Sequence, residues 1–206
     1  MDDCTTPLPR LKNAAATRDA ILTAARGRFL LESYDSVGLR DIASDAGVDV
    51  ALVSRYFGGK EKLFAEVLGK GGGDWLPPSS TQELPALLTT LFMNHDEAEH
   101  RDHAERLLMI LRSSSSPVAA GIVREALRQD ILQPLADRLE GEAPEARASL
   151  AMAVWMGVTV MRSIMAVAPM CDRQCDVVNA KLGLLYDAAL SPLAPSDCAA
   201  PTVDGG

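Results

Sequence analysis

The sequence predicts an all-α protein, an amino-terminal three-helix domain built on a helix-turn-helix followed by a larger helical domain. Three observations carry this expectation. Apolar residues recur at helical spacing from Gln82 to about Leu190, with no convincing strand alternation. The stretch Leu39 to Phe64, LRDIASDAGVDVALVSRYFGGKEKLF, reads as two short helices around a tight turn and the start of a third. Between these regions, GKGGGDWLPP at 69–78 breaks the pattern: three consecutive glycines cost about 1 kcal/mol each in helix propensity, and Pro77-Pro78 forbids continuation. The expected organisation is a flexible arm over 1–13, the helix-turn-helix domain over 14–70, a hinge over 71–81, the helical domain over 82–190 and a disordered tail over 191–206.

In chain order, the Pro-rich residues 1–13 lack periodicity, and Arg10, Lys12 and Arg18 are cations that could approach a DNA backbone. The first helix is expected from about Ala14 to Leu31, with Ile21, Leu22, Ala25 and Phe29 inward and Tyr34 closing a small core. The second, Leu39 to Ala46, places Leu39, Ile42, Ala43 and Ala46 on one face, while Arg40, Asp41, Ser44 and Asp45 point outward. Gly47 stops it, and Asp49 is placed to accept from the amide of Ala51 or Leu52 and cap the next helix, Val50 to Phe57. There Val53 and Phe57 must face inward, which leaves Ala51, Leu52, Ser54, Arg55 and Tyr56 on the exposed side and rim. Gly58-Gly59 ends this helix, and Lys60 opens the one that carries Leu63, Phe64, Val67 and Leu68.

Beyond the break, Leu84 to Phe92 and Arg106 to Leu111 are apolar, and Ser113 to Ser116 before Pro117 is an interruption. One helix is expected over Val118 to Leu139, kinked at Pro134. Another opens at Pro144 and runs through 150–168, and a last one after Pro169 carries Val177, Val178, Leu182, Leu185 and Tyr186. The stretch Leu150 to Met161 is apolar all round, yet Arg162 would lie mid-bilayer in any window of about 20 residues, which argues against a membrane span. A helix apolar on every side is buried on every side, so one face is expected on a second subunit.

Charge and composition narrow the class. The net charge is −8, but residues 1–70 hold 10 basic and 10 acidic side chains while 71–206 hold 10 and 18, so the excess acid lies outside the helix-turn-helix. With 48% hydrophobic and 23% charged residues the chain reads as a soluble globular protein. Cys4, Cys171, Cys175 and Cys198 form no disulfide framework for a chain of this size, and MDDCTTPLPR lacks the apolar core of a signal peptide, so a cytoplasmic protein with reduced thiols is expected.

The ordered elements I21-L22-x-A24-A25-x-x-x-F29, R40-D41-I42-A43, A46-G47-V48 and L52-V53-S54-R55-Y56-F57-G58-G59-K60-E61-K62-L63 resemble the DNA-binding domain of the tetracycline-repressor (TetR) family over roughly Thr17 to Leu68. The chain departs from the usual family residues at Ser33, Val37, Gly38, Asp49, Ser54 and Gly59; the family usually has Gly, Thr, Ser or Thr, Ser, Tyr and Ser there. The resemblance implies a ligand-responsive transcriptional regulator, a repressor, that binds a palindromic double-stranded operator as a homodimer and is released by a small apolar effector. It also implies that the second domain binds ligand and dimerises through its last two long helices. No cofactor is implied.

On this reading the DNA-binding residues are Arg40, Val50, Ala51, Leu52, Ser54, Arg55, Tyr56 and Lys60. Val50, Ala51 and Leu52 suit thymine methyls, Arg55 and Arg40 offer forked donors for guanine, and Tyr56 and Lys60 suit phosphates. The position matching Arg40 is one the family uses for base contact. Met109, Met152 and Met156, from a Met-rich core that also holds Met93, Met161 and Met165, are candidates for an adaptable ligand cavity. Trp155, Arg162, Leu182, Leu185 and Tyr186 are candidates for the dimer interface.

A second reading, from a different class, is an all-α metal-binding protein or metal-dependent enzyme. It rests on His95, His100 and His103 within HDEAEHRDH, crowded with Asp96, Glu97, Glu99 and Asp102. The spacing is not that of a metalloprotease helix, and a charged helix end with a solvated loop explains the same residues. Cys171 and Cys175, four apart, suit an oxidant or soft-metal sensor as well as two incidental thiols. No nucleophile–base pair, glycine-rich phosphate loop or regularly spaced carboxylate pair marks a catalytic site.

Overall fold

The computed structural model describes residues 9–69, 80–94, 97–172 and 175–192; the side chains of 9–13, 92–94 and 97 are outside that description. Most of the expected arm, hinge and tail, together with Cys4, His95, Cys198 and the side chains of Arg10, Lys12 and Met93, therefore lies outside the described residues. No strand occurs among the residues described.

Eleven α-helices are described: α1 Pro9–Leu31, α2 Leu39–Asp45, α3 Val50–Phe57, α4 Lys60–Gly69, α5 Leu84–Asn94, α6 Glu97–Ser113, α7 Pro117–Leu127, α8 Gln133–Ala136, α9 Pro144–Thr159, α10 Ala168–Cys171 and α11 Asp176–Leu190. A 3-10 turn, Thr81–Glu83, leads into α5, and π turns, Arg128–Leu132 and Val160–Ile164, adjoin α8 and α9. The chain forms two compact units, Met1–Gly73 with Glu105–Leu127, and Asp74–Ala104 with Arg128–Gly206.

Five segments differ from the sequence expectation. Helix α1 begins at Pro9 instead of Ala14, because proline at a first helical position has the φ the helix needs and lacks only an N–H that would go unused. The helix expected over Val118 to Leu139 is divided: α7 ends at Leu127, a π turn follows, and Pro134 lies in the first turn of α8. Proline cannot donate to the carbonyl four residues back and crowds it, and the widened π turn absorbs both defects. The α9 helix ends at Thr159 and passes through a second π turn; Ala166 takes a left-handed φ of 51°, so residues 165–167 are not helical. Pro169 opens the short α10 instead of preceding the final helix directly. Glu97 to His103, read as a charged helix end and loop, lies within α6.

The first unit is held by a core of Ile21, Leu22, Ala25, Phe29, Tyr34, Ile42, Val53, Phe57, Leu63 and Phe64, continued by Met109, Ala119 and Val123 from α6 and α7. At its centre Phe64 packs edge-on against Phe29, centroids 4.7 Å apart, and 5.1 Å from Tyr34. Such pairs add about 0.5–1.5 kcal/mol each beyond burial.

The carboxyl-terminal half of α6 is tied to this core by polar links. Arg26 of α1 pairs with Glu105 at 2.8 Å, Arg106 donates to the Leu68 carbonyl at 2.7 Å, and Arg112 donates to the Leu31 carbonyl at 3.0 Å. The last two satisfy carbonyls at the ends of α4 and α1, where the helix supplies no partner. Ser116 adds a hydrogen bond to Asp35 at 2.9 Å.

In the second unit α11 packs against α5 and α9 around Leu84, Leu135, Ala148, Ala151, Tyr186 and Leu190. Arg147 is buried, yet the residues it touches supply no carboxylate: its guanidinium donates to the carbonyls of Leu190, Glu140 and Glu142. The loop wraps around it with Gly141 and Ala143 both at positive φ. Three backbone acceptors disperse the charge and tie the end of α11 to the start of α9.

Candidate nucleic-acid interface

Local rules shape the reading surface. Helix α2 ends where Gly47 takes φ 66°, with its N–H on the Ser44 carbonyl at 3.1 Å and the Val48 N–H reaching back to the Ala43 carbonyl at 3.0 Å. Asp49 accepts from the Ala51 amide at 2.7 Å, which starts α3. Val53 and Phe57 are buried against the core, so the opposite face of α3 must point to solvent. Gly58 at φ 75° and Gly59 at φ 142° end α3 and turn the chain into α4; a side chain at either would be strained.

Glycine at 59 has a second consequence. It precedes α4 and has no side chain to cap the helix, so the first-turn amides beside Lys60 are left for solvent or an anion.

On this surface Arg40, Ala51, Ser54 and Arg55 are exposed, and Val50, Leu52, Tyr56 and Lys60 are half-exposed. The Arg55 guanidinium lies 5.8 Å from the Tyr56 ring centroid, and the Lys60 ammonium 4.4 Å from that of Tyr34. Burial lowers the Lys60 pKa while the nearby Asp35 charge opposes the shift. The Tyr34 hydroxyl is pushed up by burial, then by Glu61 and Asp35.

Three of the acids around this surface are committed elsewhere. Asp41 accepts from the Gly38 amide at 3.2 Å, Asp49 caps α3, and Asp45 takes Arg28 at 2.5 and 2.8 Å. That double contact holds the Asp45 carboxyl below its ordinary value. Among the described residues Arg40, Arg55 and Lys60 make no ion pair, so three cations share the surface with three acids that each already accept a hydrogen bond and with the exposed Glu61 beside Lys60.

Arg18 does not belong to the surface. Its guanidinium pairs with Glu66 and lies 5.1 Å from the Phe57 ring centroid, bracing α1 against α3 and α4. At position 38 a Cβ would meet the Asp41 carboxylate at 2.7 Å, so a side chain there would displace the carboxylate that accepts from the Gly38 amide. Neither point was readable from the sequence, since both depend on contacts outside a single helix or on the position taken by a carboxylate.

The other candidates fall as follows. Met109 is fully buried in the first unit's core, whereas Met152 and Met156 are half-buried on α9. Tyr186 and Leu182 face the second unit's own interior, and Arg162 is buried there, while Leu185 is exposed and Trp155 half-buried. His103 packs edge-on against Trp155 with centroids 5.2 Å apart. Among the described residues no group of three His, Cys, Asp or Glu gathers to hold a metal ion, and the metal-binding alternative is not supported. No helix among them is long and apolar enough to cross a membrane.

A short capped helix held by its inner face on a three-helix core, with exposed cations and small side chains outward, defines a helix-turn-helix DNA-binding protein. Residues 21–67 match the profile of the bacterial regulatory proteins of the tetR family, and residues 82–189 match the tetracyclin repressor-like carboxyl-terminal domain. The second match alone spans more than half of the chain: the protein belongs to the TetR family of transcriptional regulators.

Similar solved structures agree on the fold. GusR of Salmonella enterica superposes with a TM-score of 0.65 at 17% identity, covering 92% of this chain and 99% of its own. NalD of Pseudomonas aeruginosa, described as the secondary repressor of the MexAB-OprM multidrug efflux pump, gives 0.58 at 18%, covering 86% and 98%. SmeT, solved as a complex with triclosan, gives 0.55 at 21%, covering 87% and 96%. No curated protein matches the chain by sequence.

Proposed function

We propose that this regulator is a repressor that binds an inverted-repeat operator as a homodimer and is released by a small apolar effector. In this reading α3 enters the major groove, with Val50, Ala51 and Leu52 against thymine methyls and Ser54 on the same exposed face. Arg40 and Arg55 pair with guanine edges, and Tyr56 and Lys60 hold phosphates, Lys60 helped by the uncapped amides of α4. The observation that carries it is the pairing of Asp41, Asp45 and Asp49 to internal partners while Arg40 and Arg55 stand exposed without an ion pair among the described residues.

Exposed leucines support the homodimer. Leu184 and Leu185 on α11 are 61% and 52% exposed, and Leu150 on α9 is 58% exposed, which is apolar area a single chain leaves to water. Leu182 and Tyr186 are already covered by their own unit, so the proposed contact rests on the exposed Leu185, with the half-buried Trp155 on α9 as a second candidate. Repression and effector release accord with a neighbouring fold described as a repressor and another solved with triclosan. The protein acts where the DNA is, in the cytoplasm.

The test is selection of genomic fragments by the full-length protein, followed by fluorescence anisotropy on the recovered site. An inverted repeat bound by two chains is the expected result. Recovery of random DNA, or of single unpaired half-sites bound by one chain, would overturn the proposal.

A further inference from the structure

The turn between α1 and α2 sets two residues beside Lys60. Ser36 donates its amide to the Ser33 carbonyl at 3.1 Å and the two hydroxyls lie 2.9 Å apart, so Tyr34 and Asp35 are the central residues of a closed turn. Tyr34 is buried with its ring against Phe29 and Phe64, and the Lys60 ammonium lies 4.4 Å from its centroid. Asp35, the next residue of the turn, is exposed, and its charge acts on both Lys60 and Tyr34. A carboxylate so close to an ammonium is its expected partner, yet among the described residues no ion pair joins the two. The Asp35 Oδ1 accepts from the Ser116 hydroxyl at 2.9 Å instead.

Ser116 is fixed from several sides. It is 2% exposed and stands immediately before Pro117, the first residue of α7. Its hydroxyl oxygen accepts from the Ala119 amide at 3.4 Å, its carbonyl accepts from the Ala120 amide at 2.8 Å, and its own amide donates to the Ser113 carbonyl at 3.1 Å. A hydroxyl has one proton to give, and with its oxygen turned to the amide of α7 that proton goes to Asp35. Glu61, the other acid whose charge acts on Tyr34, directly follows Lys60 on α4, and successive helical residues do not face each other.

We infer that Asp35 is a positioning residue for DNA binding: Ser116 draws its carboxylate toward α7 and so leaves the Lys60 ammonium open to a phosphate. The inference rests on the reading of Lys60 as the phosphate clamp, and it names what keeps that clamp open. Without the Ser116 hydroxyl the carboxylate loses its donor, and the ammonium over the neighbouring ring becomes its partner. A phosphate must then displace the carboxylate before it is held. Partly exposed Lys–Asp pairs are weak, so the expected effect is about two- to fivefold in affinity per head.

The experiment is fluorescence anisotropy of the full chain on a random-sequence duplex at low salt, because a phosphate clamp acts on any sequence. Glycine is tolerated at the residue before a helix, so Ser116→Gly removes the hydroxyl and leaves α7 its start, with circular dichroism as the check on folding. Binding should weaken about two- to fivefold per head. Ser116→Ala, which lacks glycine's backbone freedom, must give the same pattern. Either substitution should have no effect in Asp35→Asn, where no carboxylate is left to pair, or in Lys60→Met, where no ammonium is. A merely structural loss at the start of α7 would weaken binding in all three backgrounds, and that result overturns the inference, as does wild-type binding by the Ser116 variants. Asp35→Asn by itself replaces an exposed side chain, keeps an oxygen for Ser116 and should not weaken binding; a loss there would mean that the Asp35 charge supports the clamp, which also overturns the inference. If Lys60→Met binds random DNA as tightly as wild type, the clamp reading itself is refuted. A loss in Lys60→Met with none in the Ser116 variants refutes only the role of Asp35.

Discussion

Substituting Arg40 and Lys60 separates a base reader from a phosphate clamp. Arg40 is exposed and pairs with no acid among the described residues, so Arg40→Ala removes nothing that holds the fold. Its whole effect should appear as lost DNA affinity, about 1–3 kcal/mol or 5–150-fold per head, with relaxed preference at one base pair of each half-site. Lys60 differs, because its ammonium also covers the Tyr34 ring. Lys60→Ala would add a stability loss of about 0.5–1 kcal/mol from that contact, which would blur the comparison. Lys60→Met keeps an apolar stem over the ring and removes only the charge. This variant should weaken binding to all sequences alike and reduce the slope of log affinity against log salt by about 0.9 per head. The assay is anisotropy over a salt series with the selected site, single-base variants of it and random DNA. If both variants lose the same affinity on random DNA and keep the same base preferences, the assignment of reader and clamp is wrong.

Four further outcomes are expected. Leu185→Asp should convert a dimer into monomers or aggregates in sedimentation velocity, and a wild-type chain that is monomeric at micromolar concentration would remove the basis for the proposed interface. Arg147→Met should lower stability to urea by about 2–4 kcal/mol, because three buried or part-buried carbonyls lose their donor, and a smaller loss would mean that water replaces it. Tyr186→Phe should be neutral or stabilising by about 1 kcal/mol in the same assay, since its buried hydroxyl has no partner among the described residues; a loss above that would reveal one. The Asp45 pKa is lowered in the folded protein, so its contribution to stability is complete above the ordinary value of 3.8 and is lost as pH falls below it; Asp45→Asn should remove that acid-side dependence from the melting profile.

The all-α class, the helix-turn-helix and its caps were legible from local chemistry alone. Asp49 caps α3 because a short carboxylate two residues before a free amide does so in any context, and Gly47 and Gly58 end their helices because left-handed φ is open to them. The inward pair Val53 and Phe57 followed from helical spacing, and with it the outward set on α3. Arg40 and Arg55 could be named as exposed cations for the same reason.

What tertiary structure alone decided is which charged and apolar groups find partners. Arg18 looked like a free cation near DNA but meets Glu66, 48 residues away, and Arg28 and Arg26 meet Asp45 and Glu105 across still unrelated stretches of sequence. Tyr186 and Leu185 are neighbours in sequence with equal apolar weight, yet one is enclosed by α5 and α9 and the other is left in water. The same holds for the division of the long carboxyl-terminal helices, where Pro134 and the π turns act through backbone geometry that periodicity does not record. Local propensity acts over one helical turn and is written in adjacent residues, whereas ion pairs, burial and clefts require segments far apart in the chain to be packed together.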